Sequence, residues 1–284
     1  MMAALLEPWQ YDYMAKAIWV SALAGCVCAF LSAYLILKGW SLIGDALSHS
    51  VVPGVAGAYA LGLPLAFGAF FTGMLAALLM VLARHYTRLR EDAIIGLVFS
   101  AFFAAGLLML SLRPAAINVQ SIIFGNILGI DDADARQMLF VLAISLALLM
   151  MFRKDLLAVF FDEGHALTLG LSPLRLKILF FALLSASTVA ALQTVGAILV
   201  IAMVITPGAT AYLLTDRFSR LAGVSMLIGG LTAGGGAWLS YYLDGATGGV
   251  IVLLQTLIFL LAFFRTLWRA KFAARRRPNR RSAP

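Results

Sequence analysis

The chain has 284 residues, of which 63% are hydrophobic and only 12% charged. A soluble domain carries about 45–50% apolar and about 25% charged residues. This chain therefore has too little polar surface to coat a globule of its size, and an all-α, polytopic membrane helical bundle is the expected fold class. The net charge of +8 does not indicate nucleic acid, because the basic residues stand between apolar runs and in the tail, where they report topology and attraction to anionic lipid.

A bilayer-spanning helix needs about 20 apolar residues. Candidate spans run over residues 14–37, 42–61, 64–83, 93–112, 137–152, 178–195, 196–214, 221–243 and 248–264. The N-terminal stretch lacks the charged region, short apolar core and small-residue cleavage site of a signal peptide, so the first run is expected to stay as a membrane helix. Cys26 and Cys28 lie in that run. Their i,i+2 spacing sends them to different faces of a helix, which predicts two packing residues rather than a disulfide or a shared metal. The runs at 178–195 and 196–214 are joined with almost no loop, so eight spans with one broken helix is the alternative to nine. With the N-terminus outside, 18 of the 21 Lys and Arg fall on the cytoplasmic side, as the positive-inside rule demands. The expectation is an outer N-terminus, an inner C-terminus and an odd number of crossings, which nine satisfies. Residues 1–264 form one transmembrane domain, and residues 265–284 a basic cytoplasmic tail expected to be disordered.

Two loops are longer than the rest. The outer one, residues 113–137, is partly apolar; its centre reads as a short helix at the membrane surface, followed by Asp131, Asp132 and Asp134. These aspartates are either a solvated loop or an acidic rim that attracts cations. The inner one, residues 153–177, contains a short capped helix over 162–169. Asp162 and Glu163 stand in its first turn, where the helix dipole favours carboxylates, Gly170 suits a C-terminal cap, and Pro173 follows. Such definition suggests a packing partner. A weak internal echo links "VVPGVAGAYAL" from Val51 and "ITPGATAYLL" from Ile205, placing Pro53 and Pro207 as helix kinks. In the topology above these spans run in opposite directions, and inverted repeats with interrupted helices point to a transport site near the midplane. Gly125 with Gly129, and Gly230 with Gly234, have the four-residue spacing of close helix packing.

The second span carries the chemistry. Asp45 and His49 are four residues apart, so they share one helix face with Ser41, Ser48 and Val52. An aspartate facing lipid costs about 2.5–3.5 kcal/mol on insertion scales, so the pair belongs in a protein interior or a water-filled path. A carboxylate and an imidazole one turn apart offer oxygen and nitrogen to one divalent ion, a set that suits Mn²⁺, Fe²⁺ or Zn²⁺. Two ligands are few, and a copy across a dimer would make four. On spacing alone, a hydrogen bond that ties helices together and a proton relay stay open. The chain has no G-x-x-x-x-G-K-[ST], H-E-x-x-H or G-x-S-x-G motif, so ATP hydrolysis by a phosphate loop, zinc proteolysis and nucleophile-elbow chemistry are not expected. His85 and His165 fall on the inner side, away from the pair.

The segments "LKGWSLIGDALSHSVVPGVAGAYALGLP", "TRLREDAIIGLVFS", "NVQSIIFGNILGI", "DLLAVFFDEGHALTLGLSPLRLKILFF", "QTVGAILVIAMVITPGATAYLLTDRFSR" and "YYLDGATGGVIVLLQT" resemble the membrane permease subunit of bacterial ABC importers for manganese, iron and zinc, closest to the chelated iron/manganese branch. The resemblance covers nearly the whole chain apart from the first few residues and the basic tail. It implies a non-catalytic, multi-pass subunit of the bacterial cytoplasmic (inner) membrane. Its partners would be a second permease, identical or paralogous, a cytoplasmic ABC ATPase dimer and an extracytoplasmic metal-binding protein. Mn²⁺, Fe²⁺ or Zn²⁺ would be cargo, with no permanently bound cofactor. Asp45 and His49 match positions that such permeases offer to the passing metal. Asp162, Glu163, His165, Gly170 and Leu171 fall in the match to the coupling helix that docks into the ATPase. A self-sufficient, proton-coupled secondary metal carrier is the alternative, and it would need no docking helix.

Overall fold

The computed structural model describes residues 7–112, 129 and 131–275. Among the described residues a short 3-10 turn, Glu7–Gln10, precedes twelve α-helices: α1 (Asp12–Lys38), α2 (Ser41–Ser50), α3 (Val52–Leu61), α4 (Leu65–Tyr86), α5 (Glu91–Leu112), α6 (Asp132–Met151), α7 (Arg153–Phe161), α8 (Glu163–Thr168), α9 (Pro173–Val195), α10 (Ala197–Leu214), α11 (Phe218–Leu243) and α12 (Thr247–Arg275). Among the described residues, seven helices are each long and apolar enough to cross a membrane: α1, α4, α5, α6, α9, α11 and α12. The other two expected spans are built differently. Span 42–61 is divided into α2 and α3 at Val51, and span 196–214 is α10, whose apolar stretch Leu199–Leu214 is shorter. The expected surface helix of the outer loop and the Gly125 half of its glycine pair lie outside the described residues.

The centre is α1, buried along most of its length, with α9 beside it; α5 and α12 turn mostly outward. Leu97, Leu107, Leu253 and Leu261 are exposed on these outer helices, as side chains facing lipid tails are. In lipid, burying apolar groups against one another gains little, so close approach of backbones must hold helices together. One such close contact joins α1 to α11, which run antiparallel. Gly25 and Gly229 meet so closely that a Cβ on either would collide with the other's carbonyl. Gly230 and Gly234 also face α1 beside Ala22. One turn on, Ser225 Oγ donates to the Ala29 carbonyl at 2.6 Å. Gly229→Leu would force the helices apart at a cost of about 1–3 kcal/mol. It is expected to lower the melting temperature of the purified protein in detergent, while Gly235→Ala, whose Cβ meets nothing within 4 Å, leaves it unchanged.

The two Pro-Gly segments behave differently. Pro53 has no N–H for the His49 carbonyl. Just before it, Ser48 Oγ and Ser50 Oγ donate back to the Gly44 and Ala46 carbonyls at 2.8 and 2.6 Å, a pattern that bends helices. The helix breaks at Val51. Pro207 has the same defect, yet α10 runs through it. Ser32 of α1 braces the helix on either side of the proline: its hydroxyl accepts the Gly208 N–H at 3.1 Å and donates to the Ile205 carbonyl at 3.0 Å.

The junction between α9 and α10 is Gly196 alone, at φ 86° and ψ 163°. That region is essentially glycine-only, and it lets one apolar run serve as two helices. At the far end, α12 continues to Arg275, past the boundary drawn at residue 264. The first half of the basic tail is therefore helical, because its Ala, Arg, Leu and Lys are good helix formers and no proline comes before Pro278. Residues 276–284 lie outside the described residues.

Candidate functional site

Asp45 and His49 stand one turn apart on α2, with Asp45 Oδ1 3.5 Å from His49 Nε2. A hydrogen bond would bring these atoms to about 2.7–3.2 Å, so the pair does not close on itself. With metal–nitrogen and metal–oxygen bonds of about 2.0–2.2 Å, the 3.5 Å bite subtends roughly 110° at a shared ion, near the tetrahedral angle. Among the described residues no third His, Cys, Asp or Glu completes a cluster with them. Their side chains are 42% and 24% exposed, respectively, on the surface of the single chain.

The imidazole is held by packing. Phe99 and Phe103 of α5 lie edge-on to it at 5.4 and 5.5 Å, and stack on each other at 10°. On another side of α2, Gly44 faces Val204 and Ile205 of α10. Ser48 is buried and spends its hydroxyl on Gly44, so it is not directed at the pair. Pro53 occupies the second position of α3, immediately after the break that follows His49.

Below the pair, the first turn of α2 is anchored through a group of residues that sequence reasoning missed. Trp40, at the N-terminal cap of α2, donates from Nε1 to Glu91 Oε2 at 2.6 Å. Arg84 pairs with Glu91 Oε1 at 2.7 Å and lies over the Trp40 ring, 5.1 Å from its centroid. The only local signal was a tryptophan placed directly after the helix-ending Gly39.

The capped helix expected on the inner side is α8. Asp162 is its N-cap rather than a first-turn residue: its Oδ1 accepts the Gly164 and His165 N–H groups at 2.8 and 3.1 Å. Gly170 closes the other end at φ 76°. Its N–H donates to the Leu167 carbonyl and the Leu171 N–H to the Ala166 carbonyl, both at 3.0 Å, the bonding of a Schellman cap. Leu167 and Leu169 are exposed, as is the His165 side chain. Glu163 is clamped: Lys177 of α9 donates to Oε2 at 2.6 Å, and Lys38, the last residue of α1, stands 3.8 Å from Oε1. Burial pulls the Glu163 carboxyl up, but Lys177, with Lys38 and Arg84 behind it, outweighs this and holds it below the usual carboxylate range. Its contribution is complete above the ordinary glutamate range and lost as pH falls through the lowered value, so the clamp is intact at neutral pH.

At the opposite end of the bundle Asp131 and Asp132 have partners of their own, and Asp134 faces a cavity. Asp131 accepts the Asp132 N–H at the start of α6, Asp132 pairs with Lys16 of α1, and Asp134 lines a cavity of about 620 Å³ with Gln137 and Gln193.

A helical membrane bundle with an Asp–His pair on an interrupted helix and a capped surface helix at one end has the build of a transport permease. The chain belongs to the ABC 3 transport family, whose model matches residues 10–266. It is 73% identical over 264 residues to the chelated iron transport system membrane protein YfeC of Yersinia pestis, covering 93% of this chain and 90% of that protein. It is 48% identical over 261 residues to the manganese transport system membrane protein MntB of Synechocystis, covering 91% and 84%. Among solved structures, PsaBC from Streptococcus pneumoniae in complex with Fab matches with a TM-score of 0.82 at 34% identity, over 93% of this chain and 95% of that one.

Proposed function

We propose that this chain carries Mn²⁺ and Fe²⁺, with Zn²⁺ as a third candidate, into the cytoplasm as the permease of an ABC importer, and that Asp45 and His49 hand the ion across the membrane. The observation that carries this reading is the 3.5 Å bite of an Asp–His pair left open on the chain's surface. At membrane depth such a surface needs cover, because lipid solvates a carboxylate poorly. A second permease subunit, identical or paralogous, supplies that cover and a second pair of ligands. Two ligands per subunit bind weakly enough for the ion to leave again, as conduction requires. The relatives named for iron and manganese transport support this cargo.

Nine crossings, with α2–α3 and α10 as the two short ones, put the N-terminus outside. The ion pairs support this sidedness. Lys38, Arg84, Glu91, Glu163 and Lys177 gather at one end of the bundle, and Lys16 with Asp132 at the other. The basic end is the cytoplasmic one. There α8, with Leu167 and Leu169 exposed, docks on a separate ATPase, and an extracytoplasmic metal-binding protein delivers the ion at the opposite end.

The test is uptake of Mn²⁺, Fe²⁺ and Zn²⁺, one ion at a time, in a transport-null strain carrying this chain with its ATPase and binding protein. Uptake of Mn²⁺ or Fe²⁺ that stops when the ATPase is inactivated is the expected result. Uptake that persists without the ATPase would instead identify a self-sufficient carrier.

A further inference from the structure

The end of the bundle that carries α8 also carries the first turn of α2, and one residue touches the surroundings of both. Trp40 is 4% exposed. Its ring stacks on Phe181 of α9 at 5.7 Å and 19°, and meets the edge of Phe160 at 5.4 Å. Phe160 lies in the last turn of α7, two residues ahead of the Asp162 cap of α8. On the chain side, Trp40 is separated from Lys38 only by Gly39, where α1 ends: the Trp40 N–H donates to the Leu35 carbonyl at 2.8 Å, and the Gly39 N–H to the Ile36 carbonyl at 3.1 Å. Lys38, 20% exposed, faces Glu163 of α8. The far edge of the indole is fixed to Glu91 and Arg84, at the ends of α5 and α4 that face each other.

We propose that Trp40 is the joint through which displacement of α8 reaches the metal-bearing helix. This rests on α8 being the docking helix of the proposed importer. The α8 side grips the joint in two ways, by the Glu163–Lys38 pair and by the Phe160 edge. The α4–α5 side grips it through the Glu91 carboxylate. Since Trp40 caps α2, a displacement at the joint moves the base of α2, and Asp45 lies five residues along, about 7.5 Å on a rigid helix. Phe99 and Phe103, which wall His49, belong to the same α5 whose first turn holds Glu91. Movement at Trp40 therefore changes the relation between the metal pair and its aromatic wall. A charge-assisted hydrogen bond such as Nε1–H to Glu91 is stronger than a neutral one, which suits a contact that must transmit force without slipping. Trp40 acts here as a positioning residue, with no contact to cargo or nucleotide.

The experiment uses the complete complex of permease, ATPase and binding protein in lipid vesicles, with Mn²⁺ as the probe. Trp40→Phe keeps the ring and removes the indole donor. Glu91→Gln keeps the shape and removes the charge. Each is expected to keep the ATPase bound and hydrolysing ATP, but to lower Mn²⁺ transported per ATP about tenfold, the scale of one hydrogen bond to a charged group. The double variant is expected to lose less than the product of the two single losses, because both act on the same bond. An unchanged ratio in Trp40→Phe, or losses that multiply in the double variant, overturns the proposal. Loss of the ATPase from the Trp40→Phe complex also overturns it, since Trp40 would then serve assembly rather than transmission. Gly170→Val, which touches α8 alone, tests the docking reading separately: if that variant retains the ATPase and its coupling, the docking reading fails whatever Trp40 does.

Discussion

Asn in place of Asp45 is expected to lower Mn²⁺ uptake by about a hundredfold or more, the upper range seen when even an outer-shell metal partner is removed. The substitution keeps size and shape and removes only the charge. No hydrogen bond holds Asp45 to His49, whose Nε2 lies at 3.5 Å, so the folded chain loses nothing structural. The amount of protein in the membrane and its association with partner subunits should match wild type. His49→Ala should abolish uptake similarly, with a small loss of stability because Phe99 and Phe103 then face a void. Uptake measured with radioactive Mn²⁺, alongside quantified membrane protein, separates a lost ligand from a lost fold. Normal uptake by both variants would remove the metal role.

Gly170→Val is the second large effect. Gly170 sits at φ 76°, where an L-residue with a Cβ costs roughly 1–2 kcal/mol. A helix of six residues cannot absorb this. It has few internal hydrogen bonds to offset the ordering of its first turn, and it relies on the Asp162 cap at one end and the Gly170 cap at the other. The expected result is a roughly tenfold fall in ATPase recovered with the permease, since each 1.4 kcal/mol is a factor of ten. Gly170→Asn should stay close to wild type, because asparagine tolerates the left-handed region. Equal recovery of the ATPase with all three chains would show that the shape of α8 is irrelevant to docking.

What could be read from the sequence was local. Asp45 and His49 stood out because their spacing is one helical turn and their charge has no place in lipid. The limits of α8 were legible because Asp162, Gly170 and Pro173 each act on their own backbone. The contacts that complete the picture are long-range. Trp40 finds Glu91 at a separation of 51 residues, and Ser32 bonds α10 at a separation of 176. The two Pro-Gly segments differ in the same way: the backbone is interrupted at Val51 beside Pro53, while α10 runs on through Pro207 with Ser32 of another helix bonded to its Ile205 carbonyl and Gly208 N–H. The register of α1 on α11 was equally hidden. The sequence drew attention to Gly230 and Gly234, but Gly229 with Gly25 makes the tightest approach between these two helices, because the rotation of α1 against α11 decides which glycine faces in. The sequence left the three acidic outer residues open between a solvated loop and a cation-attracting rim; Asp131 caps a helix and Asp132 pairs with Lys16, partners that lie outside the local pattern.

The most direct test of the central claim is pulsed electron paramagnetic resonance on Mn²⁺ trapped in the assembled complex, with histidine labelled with nitrogen-15. If Asp45 and His49 form the metal step, the trapped Mn²⁺ shows a histidine-nitrogen coupling that disappears in His49→Ala. The same coupling in wild type and His49→Ala would contradict the account.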